Sequence, residues 1–456
     1  TYSAADLKGS TEMKFPVPRI RLADPYGYRW AIFGVVSIIY FLACLHRISP
    51  TVIAGDLVEE FGADATALGV MASAYFYLYA AVQPPVGMLS DTLGPRAVTT
   101  VFAVIACTGV LLFGFAPSMA VATAGRALVG IGVGGVFIPG LKIFSRWFKK
   151  TEFAAITGAF LAFGNAGNLS ASLPLTWLVV MLGWRTSFWA IGVFTLLMAV
   201  CAWLILRDKP EDKGWEPIEP EPSPASDDAF DIPADTGTLK RLLMVLGNAS
   251  FWMVTLSYFF FGGPSLTFQG LWAVPYLVDV HGYSKVAAGG VLMLMPMGFI
   301  IGAPMIGLAA DKLRFGRRQV IIFSVAVGLA CWSVYLFTLG RPPSIILAPL
   351  FLITGICGGG TLSLYFAITK ELFPAWLTGT AIGLMNPAAF LGTALFQPFT
   401  GWLMDFVGGS NGGYPVEAYY NVFIAIFCSM FLGFVFLILL RDPQKAAFRG
   451  KDAYGG

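Results

Sequence analysis

Twelve predominantly apolar stretches alternate with short polar segments along the chain, and each is long enough to cross the ~30 Å hydrocarbon core of a bilayer as a helix. The pattern predicts helices over 29–57, 66–90, 96–116, 119–148, 152–181 and 185–206, then over 249–280, 285–310, 317–338, 343–373, 377–408 and 417–441. Pro84, Pro139, Pro304 and Pro398 fall inside these runs, where neighbouring helices can satisfy the carbonyls that a proline leaves free. Segment 207–248 breaks the pattern: it opens "RDKPEDKGWEPIEPEPSPASDDAFDIPADTG", Pro-rich and acidic, and reads as a flexible linker in water. The expected division is an amino-terminal segment 1–28, a six-helix bundle 29–206, the linker 207–248, a second six-helix bundle 249–441 and a tail 442–456.

Composition agrees with an all-α membrane protein. Of 456 residues 57% are hydrophobic and 12% charged, with a mean hydropathy of +0.74, whereas soluble domains carry roughly 25% charged residues. Of the 29 Lys and Arg, 22 fall on one face of the predicted topology; only Arg185, Lys285 and Arg341 fall on the other, and four lie within helices. The positive-inside rule then puts both termini in the cytoplasm, as expected for a multi-pass protein of a bacterial inner (plasma) membrane. The first 28 residues lack the apolar core of a cleavable signal peptide. The net charge of +3 is thus an orientation signal, and nucleic acid is not an expected partner. Six Cys (44, 107, 201, 331, 357, 428) lie within predicted spans without a CxxC pair; they read as small packing residues, and neither metal nor cofactor is expected.

The two halves repeat. A shift of 220 residues superposes Gly62 on Gly282, Gly69 on Gly289, Pro84 on Pro304, Gly87 on Gly307 and Asp91 on Asp311. A shift of 225 superposes Gly130 on Gly355, Gly134 on Gly359, Gly135 on Gly360, Gly158 on Gly383 and Gly167 on Gly392. Matched glycines suit helices that approach closely and slide in lipid, and two like halves about a polar path are the design of rocking-bundle transporters.

The loops "GMLSDTLGPR" (87–96) and "GLAADKLRFGRR" (307–318) each join the second and third helices of a half. Both resemble the Gly-x-x-x-Asp-x-x-Gly-Arg signature of the major facilitator superfamily, the second copy with two extra residues before its Gly. "GRALVGIGVGG" (125–135) resembles the superfamily's fourth-helix Arg-Gly pattern. The resemblance implies twelve helices in two pseudo-symmetric six-helix bundles and gating roles for Gly87, Asp91, Arg96, Arg126, Asp311 and Arg317. An Asp at a helix end facing Arg can latch the halves; the plainer alternative is a tight turn with a surface ion pair worth under ~1 kcal/mol. For Arg126, a structural hydrogen bond to a neighbouring helix is the alternative.

Within the superfamily the chain is most similar to the organophosphate:phosphate antiporters and the organic-anion symporters, through "LHRISPTVIAGDLVEEFG" (45–62), "RWFKKTE" (146–152), "RDKPEDKGWEPIEP" (207–220) and "ITKELFPAWLTGTAIG" (368–383). Arg47 falls where those families keep a first-helix substrate-binding Arg. Two features depart from the antiporters. Their second Arg belongs on the seventh helix, but the repeat pairs Arg47 with Thr267 and no Lys or Arg lies there; and Gly164 stands near the place of a fifth-helix His. A singly charged anion fits these departures better than a phosphate ester. The symporters often carry an acid just before the first-helix Arg, where this chain has His46.

Arg47 lies roughly 26 Å and 15 Å from the ends of its predicted helix, and no Asp or Glu is predicted at its depth. An Arg at the bilayer centre costs at least ~2.5–3.5 kcal/mol unless it faces water or a partner. A planar guanidinium there points to an exogenous carboxylate or phosphate, the alternative being an Arg satisfied by backbone carbonyls. His46 is the one titratable mid-membrane candidate for proton coupling, or a packing residue. Lys142 is a second positive group for the anion, or snorkels to the surface. Tyr40, Tyr75, Tyr79, Asn165, Asn168, Gln269, Trp272, Tyr276, Tyr365 and Asn386 are the further candidates for the cavity wall, with core packing the alternative for each Tyr.

The expectation is a monomeric secondary transporter in the lipid bilayer, moving a small organic anion by alternating access with protons or a counter-anion as coupling partner. A uniporter, or a non-transporting receptor of the same fold, is the competing reading. A drug exporter would want a cavity carboxylate that is missing, and without a catalytic constellation or P-loop no enzyme is expected.

Overall fold

A computed structural model describes residues 24–219, 238–312, 316–409 and 413–440. The expected terminal segments 1–28 and 442–456 fall largely or wholly outside the described residues, as does the side chain of Asp311. The described residues are predominantly helical, and prolines stand at several of the places where one helix gives way to the next.

The first predicted span is two helices, α1 (Pro25–Ile48) and α2 (Pro50–Phe61). Asp24 caps α1 by accepting from Gly27 N at 2.6 Å, with Pro25 at the first turn where its missing N–H costs nothing. Pro50 cannot donate to the carbonyl of His46, so the ladder breaks at Ser49. After α3 (Ala65–Thr92), capped by Asp64, and α4 (Pro95–Gly114), the fourth span divides into α5 (Met119–Gly134) and α6 (Phe137–Trp147). The fifth divides into α7 (Lys150–Ser170) and α8 (Leu173–Leu182), with Pro174 in the restart; α9 (Trp184–Ile205) completes the first bundle.

In the second half α10 (Thr238–Leu246) is a short helix bent 73° from the next, α11 (Ala249–Thr267). A π-helical turn, Phe268–Trp272, joins α11 to α12 (Ala273–Asp279) a few residues after Pro264. Then come α13 (Lys285–Leu292), α14 (Leu294–Lys312), α15 (Arg317–Phe337), α16 (Ser344–Leu372), α17 (Ala375–Met385), α18 (Pro387–Val407) and α19 (Val416–Leu439). Ten described helices are long and apolar enough to span a membrane, and the bent pair at α10–α11 makes an eleventh. The expected fifth span is missing from that count because Asn165 and Asn168 interrupt the apolar run of α7 and α8 is short.

In the first bundle α1 packs on α7, and α4 on α5 and α9; in the second α14 packs on α16, and α11 on α18 and α19. The bundles meet along α3 with α18 and α8 with α13. A Cβ on Gly69 would strike the backbone of Gln397, and one on Gly401 the backbone of Ala65, so α3 and α18 touch main chain to main chain.

Hydrogen bonds between described residues of the two bundles gather at one end. The Asp405 carboxylate accepts from Ala65 N (2.9 Å), Thr66 N (2.7 Å), Thr66 Oγ1 (2.5 Å) and Tyr414 Oη (2.7 Å), serving as a cap for α3 supplied by the opposite bundle. Lys285 donates to Asp56 at 2.5 Å, and Val274 N to Thr51 Oγ1 at 3.2 Å. This is the sealed end.

The linker 207–248 departs from the sequence expectation at both ends, its last part forming α10 and its first part packing on the first bundle. Residues 207–219 dock on the first bundle: Lys213 lies 3.8 Å over the Tyr28 ring, Trp215 packs against Tyr28 and Trp147, and Trp147 Nε1 donates to the carbonyl of Arg207 at 2.9 Å. The acidic stretch from 220 to 237 lies outside the described residues.

Candidate functional site

Arg47 occupies the last turn of α1, where the orphan carbonyls of a helix end favour a cation. The break at Ser49 fixes its direction. The His46 carbonyl, deprived of its donor by Pro50, instead accepts from Arg126 Nη1 at 2.8 Å and Ser49 Oγ at 3.1 Å. His46 consequently packs against Arg126, 1% exposed and with both ring nitrogens lacking a protein partner, while Arg47 turns the other way.

Arg47 turns into a cavity of about 130 Å³ between the bundles. Its guanidinium lies 5.0 Å over the ring of Phe390 and 5.9 Å from that of Tyr79. Among the described residues no carboxylate pairs with it. The rest of the wall is neutral. Asn165 and Asn168 come from α7; Tyr258, Ser265 and Gln269 from α11 and its π turn; Thr354, Thr361 and Tyr365 from α16; Phe261, Phe299 and Phe390 supply apolar surface. The Asn168 Oδ1 is buried without a protein donor, so the cavity offers one cation, an open acceptor and several hydroxyls.

The structure gathers Arg47, Asn165, Asn168, Gln269 and Tyr365 of the sequence candidates. Others lie elsewhere. Tyr40 packs 4.4 Å from Phe160 and 5.5 Å from Phe137 in the first bundle, and its ring occupies the space a side chain at Gly164 would need. Tyr75 and Tyr79 stack in parallel at 6.0 Å behind Arg47 and help to orient it. Trp272 donates to Thr400 Oγ1 at 2.8 Å, and Tyr276 to the Gly340 carbonyl at 3.0 Å within an aromatic cluster. Asn386 stands at the α17–α18 break, outside the cavity wall.

Among the described residues, the gating candidates Asp91, Arg96 and Arg317 each have a partner in their own half of the chain. Lys142 is ion-paired to Asp91, donates to the Gly87 carbonyl at 3.2 Å and is not among the residues lining the cavity. Arg96 N donates to Asp208 at 2.6 Å and its guanidinium to the Trp203 carbonyl at 2.7 Å. Arg317 pairs with Glu371. Arg126 bridges α5 to α1 and stacks 4.9 Å over Tyr75, the structural role the sequence left open.

Sequence reasoning missed Tyr258, Ser265, Thr354 and Thr361. The signal was helical spacing: 258, 262, 265 and 269 make one stripe of the seventh span, and 354, 358, 361 and 365 one stripe of the tenth. Thr267, the repeat mate of Arg47, instead bonds its own helix at Gly263 O, 2.9 Å away.

Apolar helices packed in two like halves around a cavity that holds one cation, amides and hydroxyls are the architecture of a secondary membrane transporter. The chain belongs to the major facilitator superfamily, whose family model matches residues 36–314 and again 274–454. It is similar to the probable sulfoacetate transporter of Cupriavidus necator, 26% identical over 390 residues covering 83% of this chain and 88% of that protein. It is also similar to the hexuronate transporter of Escherichia coli K12, 25% identical over 397 residues covering 84% and 89%. Among solved structures, a bacterial homologue of the human lysosomal transporter Spinster, inward-facing and unoccupied, superposes with a TM-score of 0.71 at 19% identity, covering 91% of this chain and 95% of that one.

Proposed function

We propose that the protein carries a small, singly charged organic anion with a hydrogen-bonding neutral portion, of the sugar-acid type, across the membrane by alternating access. The carrying observation is Arg47, the one charged residue among those lining a cavity whose remaining wall is neutral, with amides and hydroxyls set among a larger aliphatic and aromatic surface. A guanidinium offers a carboxylate two parallel bonds, and the neutral wall suits hydroxyls. A phosphate dianion would leave one charge unmatched. The sulfoacetate and hexuronate relatives support an organic anion as cargo.

With the Lys and Arg bias setting orientation, the sealed end faces outward and the structure is the inward-facing state. The coupling we propose is anion exchange. Among the described residues no Asp, Glu or His lines the cavity, and His46 lies against the fixed charge of Arg126, where an imidazolium would meet a second cation. Counterflow in proteoliposomes tests this: vesicles preloaded with unlabelled hexuronate should take up labelled hexuronate, with the rate unchanged by an imposed proton gradient. Uptake driven by that gradient and made insensitive to it by His46→Gln would overturn exchange, and binding without flux would identify a receptor.

A further inference from the structure

Gln397 lies on α18 in the seam that closes the sealed end. It is fully buried, and neither atom of its amide meets a hydrogen-bonding partner among the described residues. Its main chain touches α3 at Gly69. A Cβ on Gly270 of the π turn would sit 3.8 Å from its Nε2 and 3.6 Å from the Arg47 carbonyl, so the amide is wedged between the π turn, α3 and the end of α1. Buried amides in a packed interface are normally paired, because leaving both atoms unmatched weakens the packed state.

The 225-residue repeat places Gln397 on Ser172. Ser172 precedes α8, the helix that packs on α13 in the other half of the seam, where a Cβ on Gly289 would collide with Thr176 and press on Leu173. Its hydroxyl is likewise fully buried and unpartnered, although its carbonyl accepts from Thr176 Oγ1 at 2.8 Å. Gln397 thus lies in the α3–α18 contact and Ser172 at the start of the helix that makes the α8–α13 contact, two unpartnered polar groups at symmetry-related positions. A single such group is an isolated packing feature. A matched pair, set against the Asp405 and Asp56 latches that hold the same end shut, is a counterweight.

We propose that Gln397 and Ser172 keep the sealed seam from being too stable: water reaches both when the bundles part at that end, and this gain offsets the broken latches so that the transporter can cycle. The proposal rests on the alternating-access reading. Replacing either group by an apolar one of similar shape removes the penalty only in the closed state and so shifts the balance toward closure.

The test uses spin labels at Glu59→Cys on α2 and Ala287→Cys on α13, with Cys428 replaced by Ser, in protein reconstituted with hexuronate. Pulsed dipolar distances are expected to show short and long populations. Gln397→Met and Ser172→Ala should each raise the short-to-long ratio by about fivefold or more, and Asp405→Asn should lower it. An unchanged or lowered ratio in both apolar variants overturns the proposal while leaving transport standing. A single distance without and with hexuronate in the parent protein overturns both this proposal and alternating access. Either variant alone carries the test if the other does not fold.

Discussion

Arg126 donates to the main-chain carbonyl of His46 at 2.8 Å, across two helices and one residue before Arg47. That carbonyl is free because Pro50, four residues on, has no N–H to give it. One proline therefore accounts for the break in the first span, the placement of a buried Arg, and the outward turn of the neighbouring guanidinium into the cavity.

The relationship makes a thermodynamic cycle. Pro50→Ala returns a donor to the His46 carbonyl, so Arg126→Met should cost about 1–2 kcal/mol less stability in the Pro50→Ala background than in the parent. Denaturation of the four proteins in detergent measures the coupling; additive effects would show that Arg126 serves something other than this carbonyl.

Lys142 provides a contrasting case. Its pair with Asp91 is open to solvent, the two side chains being 32% and 73% exposed, and such a pair contributes under ~1 kcal/mol. Lys142→Gln should leave the KM for the anion within about twofold. A tenfold rise would place Lys142 on the substrate path.

Asp208, in the linker start, has its carboxyl raised above the usual range by burial, with Asp212 adding to this and the Arg96 N–H opposing it. A raised folded value means that this group's stability contribution is full below the unfolded value of about 3.9 and lost as pH rises through the folded one. Asp208→Asn keeps an acceptor for Arg96 and should raise the Tm at pH 7, with the advantage disappearing near pH 4. A lower Tm at pH 7 would show that the charge is needed there.

Gly164 tests how tightly the first bundle is packed. Gly164→Ala would press on the Tyr40 ring and should cost about 1–3 kcal/mol, recovered in part by Tyr40→Leu, as measured by thermal unfolding. Full tolerance of Gly164→Ala with Tyr40 intact would contradict the packing described.

Much of this was legible in the sequence, for definite reasons. Span lengths follow from bilayer thickness, so most of the spans were legible, whereas their internal breaks, the π turn and α10 were not. The repeat showed two halves, and the missing acid at the depth of Arg47 marked it as the candidate anion anchor. Which of two adjacent residues would face the cavity was not legible, because it depends on the broken ladder at Pro50 and on Arg126, eighty residues away. Nor was the wall opposite: Tyr276 and Trp272 have the chemistry of a binding surface, but Tyr276 packs into the second bundle and Trp272 bonds Thr400 in the seam beside α2, leaving Gln269 on the cavity wall. Nor was the partner of Lys142 legible, because Asp91 comes from the loop motif fifty-one residues earlier.

The central claim is that Arg47 alone holds the charge of the cargo. It is tested most directly by hexuronate counterflow in proteoliposomes containing Arg47→Gln and Arg47→Lys, with correct folding established by size-exclusion profile and Tm. Loss of a desolvated, bidentate charge pair costs about 2–5 kcal/mol, so Arg47→Gln should lower apparent affinity by thirtyfold or more, with Arg47→Lys recovering only part of it. Apparent affinity within threefold of the parent in Arg47→Gln would contradict the account.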